Sequence, residues 1–457
     1  MRLPHVVLWL TLSMAAALPA QADEPARIGN AAIHYWCAAA FMKRATNDQE
    51  EKLLDYIEQW NGLPPKVFLE NRDAMNFLEQ ELWRGEAMDM LHIGAACTQC
   101  DFDVAATDGM AIPEMKPLRD LGRRACAVAT MLEAQEQLEH AAQVRADALQ
   151  FSLHLCQCNA LLCAYGGAAA LQGSLGGMND FMARKPGKEP IRVLMVRLIT
   201  MPSRPLSFSA CMADEAKREP LILKLEKRFT DADLDEALQV TDSEPLGRAL
   251  LFKFLPELGA NRKTLIAQLR DFKPDERAVA YGKWADQVGE ELSELAKAGE
   301  GSFAETRPRV KARIEHMKAL AKPATGRTYP ENPLMGTFVY AESSYAGFTV
   351  GNTRLAMSKI LVAAALYEAE TGEYPTALEA LHSYFPQGLP KDPFTESDFE
   401  YKLEEGLPVV AAHPPEDVRP EFRWNFRISM ADIIKTQAKR VELYRKDAQS
   451  PLPDAHK

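Results

Sequence analysis

Cys97 and Cys100 form a C-x-x-C pair, which is the spacing of the reactive dithiol in thiol oxidoreductases. In those enzymes a β-strand precedes the pair, and a helix N-terminus lowers the pKa of the first thiol. The residues around this pair have a helical pattern instead, and Asp101 stands where covalent haem attachment would require His. We therefore expect a structural disulfide or an inert pair, with redox catalysis as the alternative. A three-residue step can bring the two Cα atoms within the roughly 4.4–6.8 Å that a disulfide needs.

A second group of possible metal ligands consists of His154, Cys156, Cys158 and Cys163. The apolar pattern continues as one helix through this stretch, and residues two apart on a helix lie about 200° apart around its axis. Cys156 and Cys158 should therefore face opposite sides, whereas His154 and Cys158 share a face. Because Cys158 lies on the apolar side, we favour buried thiols over metal ligands and expect no metal and no cofactor.

Four aspartates match the first, third, fifth and last ligand positions of a calcium loop: Asp231, Asp233, Asp235 and Asp242. However, Glu236 stands where the sharp turn requires Gly, and the bidentate Glu is missing. The same aspartates can instead belong to the start of a helix, with Thr230 as the N-cap and acidic residues in the first turn. No motif of a hydrolase, a zinc protease or a nucleotide-binding loop occurs in a usable context, so the sequence identifies no catalytic residue.

Composition places the chain among ordinary globular proteins and narrows its partners. It has 457 residues, 47% of them hydrophobic and 26% charged, with a formal net charge of -11. An acidic surface argues against binding to duplex nucleic acid or to anionic lipid, since Lys and Arg dominate both kinds of interface. All eight cysteines fall in the first half of the chain, where disulfides are plausible if the protein is exported.

The first 22 residues have the pattern of a secretory signal peptide. Arg2 gives a positive start, Val6 to Leu18 is apolar but too short to span a bilayer, and Ala20-Gln21-Ala22 is a cleavage site for signal peptidase. We expect export to the periplasm or beyond and no integral membrane span after cleavage. An uncleaved anchor is the alternative.

From about residue 26 to 322 the apolar residues recur with a helical period. Thr46 and Gln49 form a capping box that predicts a helix start, and Asn61-Gly62 predicts its end. Two narrow apolar seams predict an antiparallel helix pair, and their members are Leu118, Leu121, Ala125, Val128 and Leu132, then Ala141, Val144, Ala148, Phe151, Leu155, Cys158 and Leu162. Residues 173–187, which are rich in Gly, and the break at Met201 to Pro205 divide the region into lobes over 23–200 and 201–322.

The C-terminal part changes character. Residues 323–345 are rich in Gly, Pro, Ser and Thr and predict a linker. Asn352 to Thr371 predicts a helix, and three alternating stretches predict strands, with a turn at Glu405-Gly406 between the first two. The strands are Phe399 to Leu403, Pro408 to Ala412 and Phe422 to Ile428. Each strand has one apolar face to bury, so we expect an α+β module over 346–430, with the helix on a three-stranded antiparallel sheet, and a C-terminal helix and tail over 431–457.

The core of this module should include Leu355, Tyr374, Pro375, Asp392, Pro393, Phe394, Tyr401 and Trp424. The order of segments in this module resembles the C-terminal part of type II secretion major pseudopilins. That order is a helix, then Gly372-Glu373-Tyr374-Pro375, then Leu389 to Phe394, and then Phe399-Glu400-Tyr401. The pseudopilin leader with its Glu and long apolar helix is absent. Gly347-Phe348-Thr349-Val350 is similar to the start of that leader, but it lies inside the chain and lacks both the Glu and the apolar helix. The resemblance implies a fold and not a filament subunit.

The chain is also similar to an uncharacterised family of large exported bacterial proteins that end in the same order of residues. The similarity in the N-terminal half rests on Asn30-Ala31-Ala32 with Tyr35, Cys100-Asp101-Phe102, Leu118 to Leu121 and the helix leading to His154. It implies a fold and brings no activity. The sequence therefore predicts a mainly α protein, with helical hairpins or a bundle before the α+β module. We expect a non-catalytic scaffold or protein-interaction protein of the cell envelope, with an envelope enzyme, either a thiol oxidoreductase or a hydrolase, as the alternative.

Overall fold

The computed structural model describes residues 27–42, 47–60, 62–83, 85–102, 115–158, 161–225, 230–232, 234–235, 256–338, 341–416, 418 and 426–449. Over these residues the chain is mainly helical and ends in a three-stranded antiparallel sheet followed by a helix, which confirms the predicted fold class. The predicted signal segment, residues 1–22, and Trp424 lie outside the described residues. None of the described helices combines the length and the apolar character that crossing a bilayer requires.

The helices and strands are numbered here along the described chain. The α-helices are α1 Ala31–Phe41, α2 Asp48–Trp60, α3 Pro65–Phe68, α4 Arg72–Phe77, α5 Glu86–Ala96, α6 Met115–Ala134, α7 Leu138–Gln157, α8 Leu161–Ala183, α9 Lys188–Thr200, α10 Phe208–Leu225, α11 Pro256–Arg270, α12 Pro274–Ala298, α13 Phe303–Leu320, α14 Ala341–Thr371 and α15 Met430–Gln449. A π-helical turn spans Leu78–Trp83, and 3-10 helices span Pro333–Phe338 and Leu378–Tyr384. The strands are β1 Arg27–Asn30, β2 Cys97–Gln99, β3 Glu400–Glu404, β4 Leu407–Ala411 and β5 Arg427–Ser429.

A short parallel pair of strands, which the sequence pattern did not predict, ties the N-terminal helices together. In this pair Arg27 of β1 lies opposite Cys97 of β2. Asn30 then starts α1, because its side-chain oxygen accepts a hydrogen bond from the Ala32 N–H at 3.1 Å. The same side chain accepts from the Asp101 N–H at 2.8 Å and donates to the Asp101 carbonyl at 2.6 Å. One amide side chain therefore fixes both the start of α1 and the segment after β2.

Helices α6, α7 and α8 form the centre of the first helical part. A tight turn with Glu136 at φ 61 connects α6 to α7 and makes the predicted hairpin. The second predicted helix, expected to continue to Leu162, ends at Gln157 instead, and Cys158 leaves the helix with an extended backbone of ψ 116. The glycines from 173 to 177 lie inside α8, so the chain breaks only after Ala183, close to Gly187 at φ 97.

The second helical part is built on the contact between α10 and α12. A Cβ atom on Gly289 would lie 2.6 Å from the Pro220 side chain and 2.9 Å from the Ala216 carbonyl oxygen. Glycine is therefore needed for the two helices to approach this closely. Apolar residues at helical spacing over 263–272 and 284–298 predict two helices in this part of the chain. Helices α11 and α12 contain them, except for residues 271 and 272, which lie beyond the end of α11.

Residues 323–345, expected to be a linker, contain well-packed structure. Asn332 is fully buried, where its Nδ2 donates to the Trp284 carbonyl at 2.9 Å and its Oδ1 accepts from the Leu334 N–H at 2.9 Å. Leu334 and Met335 are buried beside it. The Asn332 side chain thus joins this irregular segment to α12.

Helix α14 is longer than predicted, since it starts at Ala341, and it packs on both halves of the molecule. Its residues from Leu355 to Leu366 are all buried, against α8 and α9 on one side and strand β4 on another. The sheet has the order β3-β4-β5, with Tyr401 opposite Val410 and Val410 opposite Ile428. Strand β5 begins at Arg427 instead of Phe422. Phe426 is described and precedes the strand, and residues 419–425 lie outside the described chain.

Candidate functional site

Three of the segments that carry the N-terminal resemblance meet around Tyr35. The Tyr35 hydroxyl oxygen lies 2.7 Å from His154 Nδ1, although 119 residues separate them in sequence. Phe102 stacks on Tyr35 with ring centroids 6.4 Å apart, and Phe151 meets it edge-on at 4.7 Å. The start of α1, the segment after β2 and the end of α7 therefore form one packed aromatic and polar centre.

This Tyr35–His154 centre is uncharged at neutral pH. Burial lowers the pKa of His154 to about 4, and burial is also the main cause that raises the pKa of Tyr35 well above its usual value. The amide nitrogen of Gln150 lies 2.8 Å from His154 Nε2 and can only donate. The ring proton is therefore assigned to Nδ1, which donates to the Tyr35 oxygen. A base this weak is poorly suited to take a proton at neutral pH.

Gly94 of α5 makes room for the Tyr35 ring. A Cβ atom at this position would lie 2.6 Å from Tyr35 Cε1 and 2.9 Å from Cδ1. Any larger residue would push the ring away from His154. The close approach of α1 and α5 is thus built into the sequence at one glycine.

A second polar pair, His92 and Asp147, lies beside this centre. His92 Nδ1 is 2.8 Å from Asp147 Oδ2, and the Gln143 Nε2 donates to the other carboxylate oxygen at 3.0 Å. An Arg197 nitrogen lies 3.5 Å from that same oxygen. The Asp147 side chain is only 4% exposed, whereas that of His92 is 41% exposed. A buried carboxylate that orients a partly exposed imidazole is an arrangement that can support proton transfer.

Six cysteines gather where β2, α7, α8 and α10 meet, and we call them the thiol cluster: Cys97, Cys100, Cys156, Cys158, Cys163 and Cys211. Burial raises the pKa of Cys100, and the neighbouring Cys158 and Cys97 raise it further. Cys163 and Cys158 are joined by a thiol–thiol hydrogen bond. The C-x-x-C pair and the cysteines near His154 are therefore neighbours in space.

Four cysteines of the thiol cluster have a raised pKa: Cys100, Cys156, Cys163 and Cys211. Burial is the main cause for Cys156, and burial raises the pKa of Cys211 to about 12. For Cys163 the hydrogen bond with Cys158 is the largest cause, followed by burial. A catalytic thiol needs a lowered pKa, so these side chains are held mainly as protonated thiols at neutral pH and react slowly.

The predicted Cys97–Cys100 bridge would require the backbone to bend. Cys97 belongs to β2, and an extended segment separates Cα atoms three residues apart by about 10 Å, more than a disulfide tolerates. The structure carries the eight cysteines as thiols, and the Cys97 thiol donates to the Ile93 carbonyl at 3.4 Å. The bridge stays a prediction for the oxidised protein.

The other candidate ligands are in structural contacts. Among the described residues no three His, Cys, Asp or Glu side chains are arranged to hold a metal ion. Asp231 forms an ion pair with Arg277 at 2.8 Å, and Asp235 forms one with Arg270. Asp233 and Asp242 lie outside the described residues.

The predicted module core contains a buried set and one half-buried member. Leu355, Tyr374, Pro375, Asp392, Pro393 and Phe394 are buried, and Tyr401 is half-buried with its hydroxyl donating to the Pro375 carbonyl at 2.9 Å. The fully buried Asp392 carboxylate accepts from the backbone N–H groups of Phe394 at 3.0 Å and His413 at 2.7 Å. Phe394 meets Phe426 edge-on at 5.3 Å. Asp392 therefore holds the approach to β3 against the end of β4.

Sequence reasoning missed both polar pairs. His92 and Asp147 are 55 residues apart, and no local spacing connects them. Tyr35 and His154 had a weak signal, because both belong to the segments of the N-terminal resemblance. Comparison with protein-family models, with curated proteins and with solved structures gives no match, so the geometry described above is what bears on function.

Proposed function

We propose that this chain is an exported, non-catalytic helical scaffold or protein-interaction protein of the cell envelope, with the C-terminal α+β module as a packing or docking unit. The observation that carries the proposal is the state of the gathered reactive groups. His154 is neutral because its pKa is about 4, and the thiol pKa values of Cys100, Cys156, Cys163 and Cys211 are raised. None of these four thiols has the lowered pKa that a catalytic nucleophile needs.

Buried charged side chains in the helical body also support a scaffold role, because they join helices to one another. The Glu133 carboxylate of α6 accepts from Arg145 Nε of α7 at 2.9 Å and from Arg184 Nε, just after α8, at 2.9 Å. Both partners reach one buried carboxylate from different helices. Such a network fixes the relative positions of three helices, which is what a rigid scaffold requires.

Exposed apolar side chains offer contact points for protein partners. Ile33 of α1 and Val196 of α9 are 60% and 55% exposed, and Val279 of α12 is 59% exposed. The net charge of -11 argues for protein partners and against nucleic acid.

Measuring thiol alkylation as a function of pH directly tests the hypothesis that the protein is not catalytic. The rate at which iodoacetamide alkylates the folded full chain should rise smoothly with pH above 8 and show no plateau between pH 5 and 8. This is expected because none of the shifted thiol pKa values among the described cysteines is lowered. Cys37 is the matched control, since it lies outside the thiol cluster and is half-buried. A cluster cysteine that reacts at its full rate at pH 6 would refute the proposal.

Site-specific photocrosslinking in the native cell tests the interaction half of the proposal. A photoreactive residue at position 33 or 196 should give a discrete adduct with one envelope protein. The same residue at the exposed acidic position Glu405 serves as the control. Equal labelling at all three positions would contradict a specific interaction surface.

The His92–Asp147 pair favours one alternative, an envelope hydrolase with a dispersed site. Its imidazole is partly exposed and its carboxylate partner is buried, as a general base requires. If this alternative holds, hydrolysis of a chromogenic ester by the full chain should fall at least about tenfold in His92→Gln, because general-base catalysis contributes roughly 100-fold or more. Equal rates in wild type and His92→Gln would remove the alternative.

A further inference from the structure

The corner between α7 and α8 brings the thiols of Cys158 and Cys163 together. Helix α7 ends at Gln157, and Cys158 is its C-cap, with its N–H bonded to the Leu155 carbonyl and an extended ψ of 116. The φ of Cys158 is still helical at -65, so its side chain keeps its place at the end of α7, and the extended ψ turns the chain that follows away from the α7 axis. Helix α8 starts three residues later, at Leu161.

Helix α8 returns directly over the end of α7. A Cβ atom on Gly167 would lie 2.5 Å from the Cys156 backbone nitrogen and 2.7 Å from the Leu155 carbonyl carbon. Gly167 and Cys163 are four residues apart on α8 and therefore share a face. Cys163 thus lies on the face of α8 that meets the end of α7, one turn nearer the corner than Gly167.

We propose that Cys158 and Cys163 are a disulfide site that closes the α7–α8 corner when the protein is in an oxidising compartment. Their thiols already form a hydrogen bond with each other. Helix α7 ends just before Cys158, helix α8 begins just before Cys163, and the two helices pack against each other. The proposal rests on the proposed export of the chain, because the cytoplasm would keep both thiols reduced. The geometric part of the proposal does not depend on export.

The chemistry is thiol–disulfide exchange with a small disulfide such as oxidised glutathione. Cys158 is the attacking group because it is half-buried, whereas Cys163 is only 1% exposed. The Cys158 thiolate breaks the S–S bond of the oxidant, forms a mixed disulfide and releases one thiolate. The Cys163 thiolate then attacks the Cys158 sulfur and releases the second. Both cysteines lose their protons, the two electrons go to the oxidant, and two thiols leave as products.

Neighbouring cysteines define the competing outcomes. Cys158 also lies near Cys100 and Cys211, while Cys156 lies near Cys211. Cys158 is therefore the central member of the thiol cluster, and its choice of partner decides the connectivity. The direct hydrogen bond favours Cys163.

Peptide mapping of the oxidised full chain decides between these pairs. Purified protein is equilibrated in a glutathione buffer of oxidising ratio, the remaining thiols are alkylated, and the chain is digested without reduction. Trypsin leaves Cys156, Cys158 and Cys163 on one peptide, since no Lys or Arg lies between Arg145 and Arg184. Chymotrypsin should be added, because cleavage after Leu161 or Leu162 separates Cys163 from the other two.

The expected result is a linked pair of chymotryptic peptides joined through Cys163. Cys156→Ser should keep the link and Cys158→Ser should abolish it, leaving Cys163 alkylated. Cys156→Ser is the matched control because it removes a thiol two residues away. A link that survives in Cys158→Ser, a Cys100–Cys158 link, or both thiols alkylated in the oxidised wild type would each overturn the proposal.

A second arm separates this proposal from the proposed export. Native cells are treated with a permeable alkylating agent before lysis, and the same peptides are analysed. A Cys158–Cys163 link in the cells supports both the disulfide and the export. A link that forms in the glutathione buffer but is absent in the cells supports the pair as a property of the fold and contradicts export.

Discussion

The contact between α7 and α8 gives the sharpest prediction, because one glycine carries it. In Gly167→Ala the new methyl carbon would lie 2.5 Å, 2.7 Å and 2.9 Å from backbone atoms of Cys156 and Leu155. An ordinary carbon contact is about 3.5–4.0 Å, so the two helices must separate locally by about 1 Å. No side-chain rotation can relieve the clash, since all three neighbours are backbone atoms.

The magnitude follows from two opposing terms. Overpacking of a tight contact costs about 1–3 kcal/mol, and replacing Gly by Ala inside a helix contributes about 0.5–1 kcal/mol in its favour. Gly173→Ala is the matched control, because Gly173 lies in the same helix and a Cβ there would meet nothing within 4 Å. The helix-propensity term cancels between the two variants. Gly167→Ala should therefore be less stable than Gly173→Ala by about 1–3 kcal/mol.

Urea unfolding followed by far-UV circular dichroism measures this difference. The midpoint of Gly173→Ala should lie at or above that of the wild type, and the midpoint of Gly167→Ala should lie below it, with similar slopes. The reasoning also predicts that Gly167→Ala slows formation of the proposed Cys158–Cys163 bridge, because the corner opens. Midpoints that are equal for the two variants would show that α7 and α8 do not approach each other here, and would remove the geometric support for that bridge.

Three further predictions concern buried polar groups. Tyr35→Phe removes the acceptor of the His154 Nδ1 proton and should destabilise the fold by about 1–3 kcal/mol in urea unfolding. The folded-state pKa of His154 is about 4, which is below its ordinary value of 6.5. Between these two pH values the unfolded chain binds one more proton than the folded chain. The free energy of unfolding should therefore fall as the pH drops from 6.5 to 4, by about 1.4 kcal/mol per pH unit. His154→Gln should remove that part of the pH dependence, and an unchanged slope would contradict the lowered pKa. Asp392→Ala leaves the Phe394 and His413 N–H groups without their acceptor, so these amides should exchange faster in hydrogen-exchange measurements while those of α7 stay protected.

Local rules in the sequence predicted the elements whose signals are local. Glu405 and Gly406 have φ values of 54 and 75, so the predicted turn between β3 and β4 is a two-residue hairpin with both residues in the left-handed region. The helix over 48–60 was predicted from its cap, although the capping side chain is that of Asn47, which accepts from the N–H groups of Gln49 and Glu50 at 3.0 Å. Thr46 lies outside the described residues.

Helix ends without a stop signal could not be located in the same way. The apolar seam of α7 continues through Cys158 to Leu162 as though the helix went on, because α8 also buries apolar residues near its start. Periodicity indicates which residues are buried, and it does not show whether one helix or two bury them. The error changed the chemistry, since in one continuous helix Cys163 would lie further along the same axis, whereas the separate helix α8 packs back on α7 and brings Cys163 to Cys158.

The buried polar residues of α14 show why a helix pattern alone could not reveal its position in the molecule. The chain break at Pro202 and Pro205 leaves backbone groups that no helix satisfies, and α14 supplies their partners. Asn352 donates to the Leu206 carbonyl at 2.8 Å and accepts from its N–H at 3.1 Å, and Lys359 Nζ donates to the Met201 carbonyl at 2.7 Å. Burial lowers the pKa of Lys359 to about 8, which is the cost of keeping an ammonium group beside that carbonyl. These polar side chains therefore fasten α14 to the helical body, and a hydrogen bond between residues 158 positions apart leaves no trace in local spacing.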